Sequence, residues 1–209
     1  MEHWDTIVLE RRVLADDLAG LTPEQWETPS LCRDWTVRQV VGHLVVQHKS
    51  SPRRFLLETA RAGGDLHRAN SRMAVREGRQ PPSELVADLR RFSVRRFAPP
   101  GLGSAAPLTD ILIHGCDIRI PLDLHRPTPS EPFRAVLDLL VTPKAKRGFV
   151  PGKLPPLRYE ATDLGWTHGD GPVVRGTGAD LALAITGRSV RLDALDGEGQ
   201  PALAAWVQA

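Results

Sequence analysis

The feature that most constrains the fold of this chain is the recurrence of apolar residues at helical spacing through its first two-thirds. The clearest case begins with Thr36 and Gln39, whose spacing is that of a capping box, a common helix start. Apolar residues then recur on one face of the segment that follows, namely Val37, Val40, Val41, Leu44 and Val45. This stripe predicts an amphipathic helix that buries one face against neighbouring helices.

Comparable stripes predict further helices over about residues 3–20, 65–78, 83–97, 108–120 and 130–141. Thr22 and Pro23 predict a short helix that ends near Trp26, because threonine caps helices and proline is tolerated in the first turn. The helix after Thr36 could continue to about residue 61, with Pro52 forcing a kink or a break. Together these segments predict a helical bundle.

The composition changes after the last of these helices, where prolines and glycines crowd together as a linker. Beyond the linker, residues 157–162 alternate as in a strand, 169–171 resembles a hairpin turn, and 190–195 could form another strand. The chain is therefore predicted to be an α+β protein. Its N-terminal helical bundle is expected at 1–145 and a small C-terminal α+β module at 152–209.

Charge and composition exclude several classes of protein. Hydrophobic residues make up 41% of the chain, enough for a buried core, yet no apolar run is long enough to span a bilayer. The net charge of +2 argues against a nucleic-acid-binding protein, since such proteins usually carry a stronger, one-sided basic excess. The polar N-terminus lacks a secretory signal, so we expect a cytoplasmic protein with no membrane or nucleic-acid partner. In that compartment Cys32 and Cys116 are expected to be thiols.

Three residues could bind a metal ion. Asp110 and His114 lie four residues apart on a predicted helix, which places both on one face. His43 lies on the helix after Thr36, among apolar residues that face the bundle core. Bundles bind ions between facing helices, and two imidazoles with one carboxylate suit zinc or a similar divalent ion. Three ligands leave one coordination position open, which is typical of catalytic sites. The alternative interpretations are that His43 is an ordinary histidine of the bundle core and that Asp110 and His114 form an ion pair along their helix.

Two neighbours of these residues each have two interpretations. Asp117 follows His114 by three residues and could orient its imidazole, or it could pair with Arg119 or Arg38 at the surface. Cys116 is expected to be buried, although its position on the same helix could also bring it to the pocket.

Three motifs occur in a characteristic order. They are PSLCRDWTVRQVVGHL at 29–44, DILIHGCD at 110–117, and shorter segments at 171–176, 179–181 and 187–188. Together they resemble the mycothiol-dependent maleylpyruvate isomerase family, which belongs to the DinB-like metal-binding helical bundles. The resemblance implies an N-terminal four-helix bundle. The resemblance covers nearly the whole chain, and its first motif is the most specific of the three.

The resemblance implies one divalent metal, usually zinc, bound by His43, Asp110 and His114. It also implies mycothiol as a thiol cosubstrate, whose sulfur takes the open metal position and reacts as a thiolate. Arg188 would then hold an anionic group of the substrate, and an arginine bound to helix-end carbonyls is the alternative. The chain departs from the isomerase pattern at Asp110, where that pattern has glutamate. The shorter side chain requires closer helices or a bridging water.

The sequence therefore predicts a metal-dependent, mycothiol-using transferase or isomerase that acts on a small electrophilic substrate through a metal-activated thiolate. A non-catalytic protein of the same fold that binds a metal or a small molecule is the alternative, and a DNA-associated regulator ranks last. The expected partners are a small-molecule substrate and a low-molecular-weight thiol. The apolar faces of the bundle would support either a monomer or a homodimer.

Overall fold

The computed structural model describes residues 2–125 and 129–209. Its helices are α1 (Trp4–Ala19), α2 (Pro23–Trp26), α3 (Val37–Lys49), α4 (Pro52–Arg61), α5 (Leu66–Glu77), α6 (Pro82–Phe92), α7 (Ala105–Arg119), α8 (Glu131–Leu140), α9 (Gly178–Ile185) and α10 (Gln200–Gln208). Its strands are β1 (Arg158–Ala161), β2 (Trp166–His168) and β3 (Val173–Gly176), and short 3-10 segments lie at Pro143–Arg147 and Leu192–Ala194. A mostly helical chain with one small sheet confirms the predicted α+β class.

Local signals explain where α3 and α4 begin and end. The Gln39 side chain accepts a hydrogen bond from the Thr36 N–H at 3.0 Å, and α3 begins at the next residue, as predicted. The helix ends at Lys49 and does not continue to residue 61. Instead α4 starts with proline in its first turn, and the Ser51 side chain accepts from the Arg54 N–H at 3.2 Å. The predicted interruption at this proline is therefore a complete break between two helices.

Contacts divide the chain into two compact units. The first consists of Met1–Ala98 and Asp110–Arg126, and the second of Pro99–Thr109 and Pro127–Ala209. The contacts group α8 with the C-terminal strands, whereas the boundaries drawn from the sequence, 1–145 and 152–209, place it with the bundle. Those boundaries stay a prediction about which parts of the chain fold by themselves.

In the first unit, α3 packs against α5 and α6, and α1 packs against α6. The helix α3 approaches α5 closely at Gly42, where an added β-carbon would lie 2.5 Å from the Ala74 carbonyl oxygen and 2.6 Å from the Gly78 nitrogen. Both neighbours are backbone atoms, so only glycine lets α3 and α5 lie this close. The helix that carries His43 is thereby held tightly against α5.

The sheet of the second unit has the order β2-β1-β3, with β2 antiparallel and β3 parallel to β1. The turn at 169–171 therefore leads the chain to the opposite edge of β1 and does not form the expected hairpin. Tyr159 and Ala161 on β1 are buried, as the alternating pattern predicted. The helix α9 contacts both β1 and β3, and α8 packs against α9.

The strand predicted at 190–195 is wrong. Leu192–Ala194 is a 3-10 turn, and Asp196 beyond it forms an isolated bridge with Arg175. Alternation over so few residues fits a helical turn as well as a strand, so the pattern alone could not decide. Within the described ranges, no helix is both long and apolar enough to cross a membrane.

Candidate metal centre

Three potential ligand side chains converge in the first unit, one from α3 and two from α7. Nε2 of His43 lies 3.2 Å from Asp110 Oδ1, and Nε2 of His114 lies 3.6 Å from the same oxygen. One ligand atom from each residue lies within 4.8 Å of the other two. The structure thus brings together the three residues that the sequence indicated.

The separations are those expected around a small divalent ion. Zinc–ligand bonds of about 2.0–2.2 Å in a tetrahedron place neighbouring ligand atoms roughly 3.3–3.6 Å apart. The two distances to Asp110 Oδ1, 3.2 and 3.6 Å, lie close to this range. The two nitrogens and one carboxylate oxygen therefore fit a divalent metal in spacing as well as in chemistry.

In each imidazole ring, the nitrogen that does not face Asp110, Nδ1, lies beside a hydrogen-bond acceptor. His43 Nδ1 lies 3.2 Å from Asn70 Oδ1, and His114 Nδ1 lies 2.8 Å from Asp117 Oδ2. An Nδ1–H donated to these oxygens leaves each Nε2 with a lone pair on the side of Asp110. The Asp117 side chain is completely buried, so it does not pair with an arginine at the surface, and its contact with His114 Nδ1 is the one that an orienting role requires.

The surroundings of Asp110 favour its charged form. Burial by itself raises the pKa of this carboxyl group. The electrostatic influence of His43 and His114, together with the hydrogen bonds that Asp110 makes with His43 and Gln47, more than offsets burial and brings the pKa well below its ordinary value. An imidazole lone pair and a carboxylate at 3.2 Å repel each other unless a proton or a cation lies between them. A single divalent cation bound by both Nε2 lone pairs and the carboxylate would remove this repulsion.

The indole of Trp35 forms one wall of the site. Its ring centroid lies 5.3 Å from that of His43 and 6.3 Å from that of His114, and the two imidazole centroids lie 4.8 Å apart. The indole Nε1 donates to Ser71 Oγ at 3.2 Å, which fixes the ring against α5. A bulky apolar wall keeps water away from the ligands and so strengthens electrostatic interactions at the centre.

Gln47 also belongs to the site, although it is not among the residues predicted from the sequence. Its side-chain Nε2 lies 3.0 Å from His43 Nε2 and donates to Asp110 Oδ2 at 2.9 Å. Gln47 follows His43 by four residues on α3. The spacing that pointed to Asp110 and His114 would therefore have indicated Gln47 too.

Comparison with known proteins identifies the N-terminal part of the chain. The family model of the mycothiol maleylpyruvate isomerase N-terminal domain matches residues 8–108. The chain carries a domain of the mycothiol maleylpyruvate isomerase family. The match includes His43 and ends before Asp110. No curated protein matches the chain.

Two solved structures share the fold over almost the whole chain. The mycothiol-dependent maleylpyruvate isomerase superposes with a TM-score of 0.53, and a histidine-to-alanine mutant of it with 0.56. Each is 14% identical to the chain, and the superpositions cover 94% of this chain and 93% of the other. At this identity the likeness shows the fold alone, and it agrees with the α+β class.

The isomerase-family domain also brings a cysteine to the site, which the sequence analysis did not expect. A sulfur, nitrogen and oxygen atom of Cys32, His114 and Asp117 lie within 4.8 Å of one another. The Leu31 N–H donates to the Asp117 carbonyl at 3.1 Å, which ties the loop before α3 to α7. Because this contact joins distant segments, no local pattern could reveal it. Neither Cys32 nor Cys116 forms a disulfide, as predicted.

Arg188, the candidate catalytic residue, lies in the second unit just after α9. Its Nη1 donates to the Thr186 carbonyl at 2.7 Å. Gly187 between them has a φ of 86°, a left-handed conformation that favours glycine at helix ends. This is the helix-end arrangement given above as the alternative for Arg188, and its role toward a substrate stays a prediction.

Proposed function

We propose that the chain is a metal-dependent, mycothiol-using transferase or isomerase that acts on a small electrophilic substrate. The observation that carries this proposal is the convergence of His43, Asp110 and His114 in a chain with an isomerase-family domain. The solved structures of the same fold are of a mycothiol-dependent maleylpyruvate isomerase, which supports mycothiol as the thiol. The proposal assigns the chain to the cytoplasm, where thiols are kept reduced.

His43, Asp110 and His114 would hold the ion, and zinc is the expected metal because it favours this mixture of nitrogen and oxygen ligands. A divalent ion bound there lowers the pKa of a coordinated thiol, so that a thiolate is present near neutral pH. Asn70 and Asp117 keep the imidazole rings in the orientation that presents Nε2. The ionised Asp110 carboxylate offsets part of the charge of the cation.

Two further side chains have roles in the proposal. The indole of Trp35 limits access of water to the nucleophile, since it lies beside both imidazole rings. Arg188 is proposed to hold an anionic group of the substrate through its guanidinium. An Arg188→Lys variant tests this role, because lysine keeps the charge but loses the two-pronged geometry. Its KM should rise for an anionic electrophile and stay unchanged for a neutral one.

Metal content is the first test of the proposal. After reconstitution with zinc, the wild-type chain should hold about one ion per chain, as three-ligand sites do. His114→Ala should lose that ion when bound metal is measured by mass spectrometry. His67→Ala is the matched control, because His67 is an exposed histidine of α5 and should leave the metal content unchanged.

The second test measures turnover. The zinc-loaded chain should consume a small electrophile only when mycothiol is present, and His43→Ala should reduce the rate to that of the uncatalysed reaction. A rate in His43→Ala equal to that of the wild type would contradict the proposal. Metal binding without any turnover would instead leave a non-catalytic metal-binding protein of the same fold.

A further inference from the structure

The side-chain amide of Gln47 contacts one proposed ligand atom, Nε2 of His43, and the carboxylate of a second proposed ligand, Asp110. Its Nε2 lies 3.0 Å from Nε2 of His43 and 2.9 Å from Oδ2 of Asp110. Gln47 is half-buried, and it stands one helical turn after His43 on the same face of α3. It therefore borders the place where an ion held by His43, Asp110 and His114 would lie.

A bound cation changes what this amide can do. The NH2 group of Gln47 carries partial positive charge and donates hydrogen bonds, so it suits the lone pairs of His43 and Asp110 only while no cation shares them. A divalent ion that takes those lone pairs would face the NH2 group at short range and repel it. Rotation of the amide by half a turn replaces NH2 with the carbonyl oxygen at almost no steric cost, because the two ends have nearly the same shape.

We propose that Gln47 is a fourth ligand of the ion, through its side-chain Oε1, whenever no thiol is bound. This inference rests on the proposed metal site. An amide oxygen is a suitable donor for divalent ions that also accept carboxylate and imidazole ligands. It would close the position that His43, Asp110 and His114 leave open, and an incoming thiol must displace it. Gln47 thus protects the metal-loaded resting state and weakens the apparent affinity for the thiol.

The decisive experiment compares zinc affinity by competition with a chromophoric chelator in the wild type, Gln47→Leu and Gln47→Glu. Gln47→Leu should bind zinc about tenfold more weakly, in line with the loss of a metal-site partner. Gln47→Glu keeps the shape and supplies an oxygen, so it should bind at least as tightly as the wild type. Gln80→Leu, which alters a glutamine beyond the end of α5, is the control and should leave zinc affinity unchanged.

Mycothiol titrations of the cobalt-substituted protein supply an independent readout. The visible absorption of cobalt reports the change of ligands, and Gln47→Leu should reach half-saturation at a lower mycothiol concentration than the wild type. Equal zinc affinity in the wild type and Gln47→Leu would overturn the inference while leaving the proposed function intact. Failure of the wild type itself to bind zinc or cobalt would overturn the proposed function.

Discussion

At the scale of single residues, Asp110 stands where the isomerase pattern that the sequence resembles has glutamate. Aspartate is one methylene shorter than the glutamate of the isomerase pattern, which raised the question of whether its carboxylate could reach. In the structure Oδ1 of Asp110 lies 3.2 Å from His43 Nε2, and Oδ2 accepts from Gln47 at 2.9 Å. The carboxylate therefore reaches His43 without a bridging water, and both of its oxygens are engaged.

We predict that Asp117→Asn weakens zinc binding by about 10–100-fold, the usual cost of losing a partner behind a ligand. The amide can still accept from His114 Nδ1, but it loses the negative charge that makes Nε2 a better donor to the metal. Zinc competition titrations would measure the change. Asp16→Asn, which alters an exposed carboxylate paired with Arg90, should leave the affinity unchanged. Equal affinities in both variants would contradict the role of Asp117.

His48 gives a prediction about pH. Burial, the positive charges of Arg11 and Arg95, and that of His43 lower its pKa from 6.5 to about 4, while Asp110 opposes them. The neutral ring is therefore the form that the folded state favours. Above pH 6.5 this ring is neutral in both the folded and the unfolded chain and costs no stability. As the pH falls toward 4, the unfolded chain takes up a proton that the folded chain does not, and the free energy of unfolding decreases by roughly 3 kcal/mol at pH 4.

Urea unfolding of the metal-free protein at pH 7 and pH 4 would test this prediction. The free energy of unfolding should fall by roughly 3 kcal/mol more in the wild type than in His48→Leu, which has no ring to protonate. His125→Leu should resemble the wild type, because the His125 side chain is 85% exposed. If the free energy of unfolding fell as much in His48→Leu as in the wild type between pH 7 and pH 4, folding would not change the pKa of His48, and the prediction would be wrong.

At the scale of secondary-structure elements, the packing of α3 on α5 depends on Gly42. An alanine there would bring its β-carbon within 2.6 Å of backbone atoms of Ala74 and Gly78, so the two helices would have to separate. We expect Gly42→Ala to lower the free energy of unfolding by about 1–3 kcal/mol, the typical cost of overpacking. Because His43 is the next residue, zinc affinity should fall as well.

The control for this prediction is Gly20→Ala. Gly20 follows α1 with a φ of −92°, and an added β-carbon would lie 3.8 Å from the Asp17 carbonyl oxygen, an ordinary contact. Its unfolding curve in urea should match that of the wild type. If Gly42→Ala also matched the wild type, the close approach of α3 and α5 would not be needed for stability.

The elements also show which parts of the fold the sequence could predict. The starts of α3 and α4 follow from Thr36 and Pro52, because capping and the constraints of proline act within a few residues. The parallel pairing of β1 with β3 was not predicted, since it depends on contacts between whole strands. At the site, the helical spacing of Asp110 and His114 was informative. Cys32 was missed because a distant backbone contact positions its loop.

At the scale of the whole molecule, the proposed ligands come from distant parts of the chain. His43 and Asp110 are separated by 67 positions in the sequence. An ion bound to both would close a long loop and hold α3 against α7. Metal binding and folding of the first unit should therefore be linked, whereas β1, β2 and β3 belong to the second unit.

We expect zinc at a free concentration one hundred times its Kd to raise the free energy of unfolding by about 2.7 kcal/mol. Urea titrations with zinc and with a chelator would measure this difference, and hydrogen exchange should slow in α3 and α7 more than in the three strands. His43→Ala should abolish the stabilisation, while His125→Ala should retain it because that side chain is exposed. Undiminished stabilisation of His43→Ala would place the ion at other ligands, with Cys32, His114 and Asp117 as the next group to test.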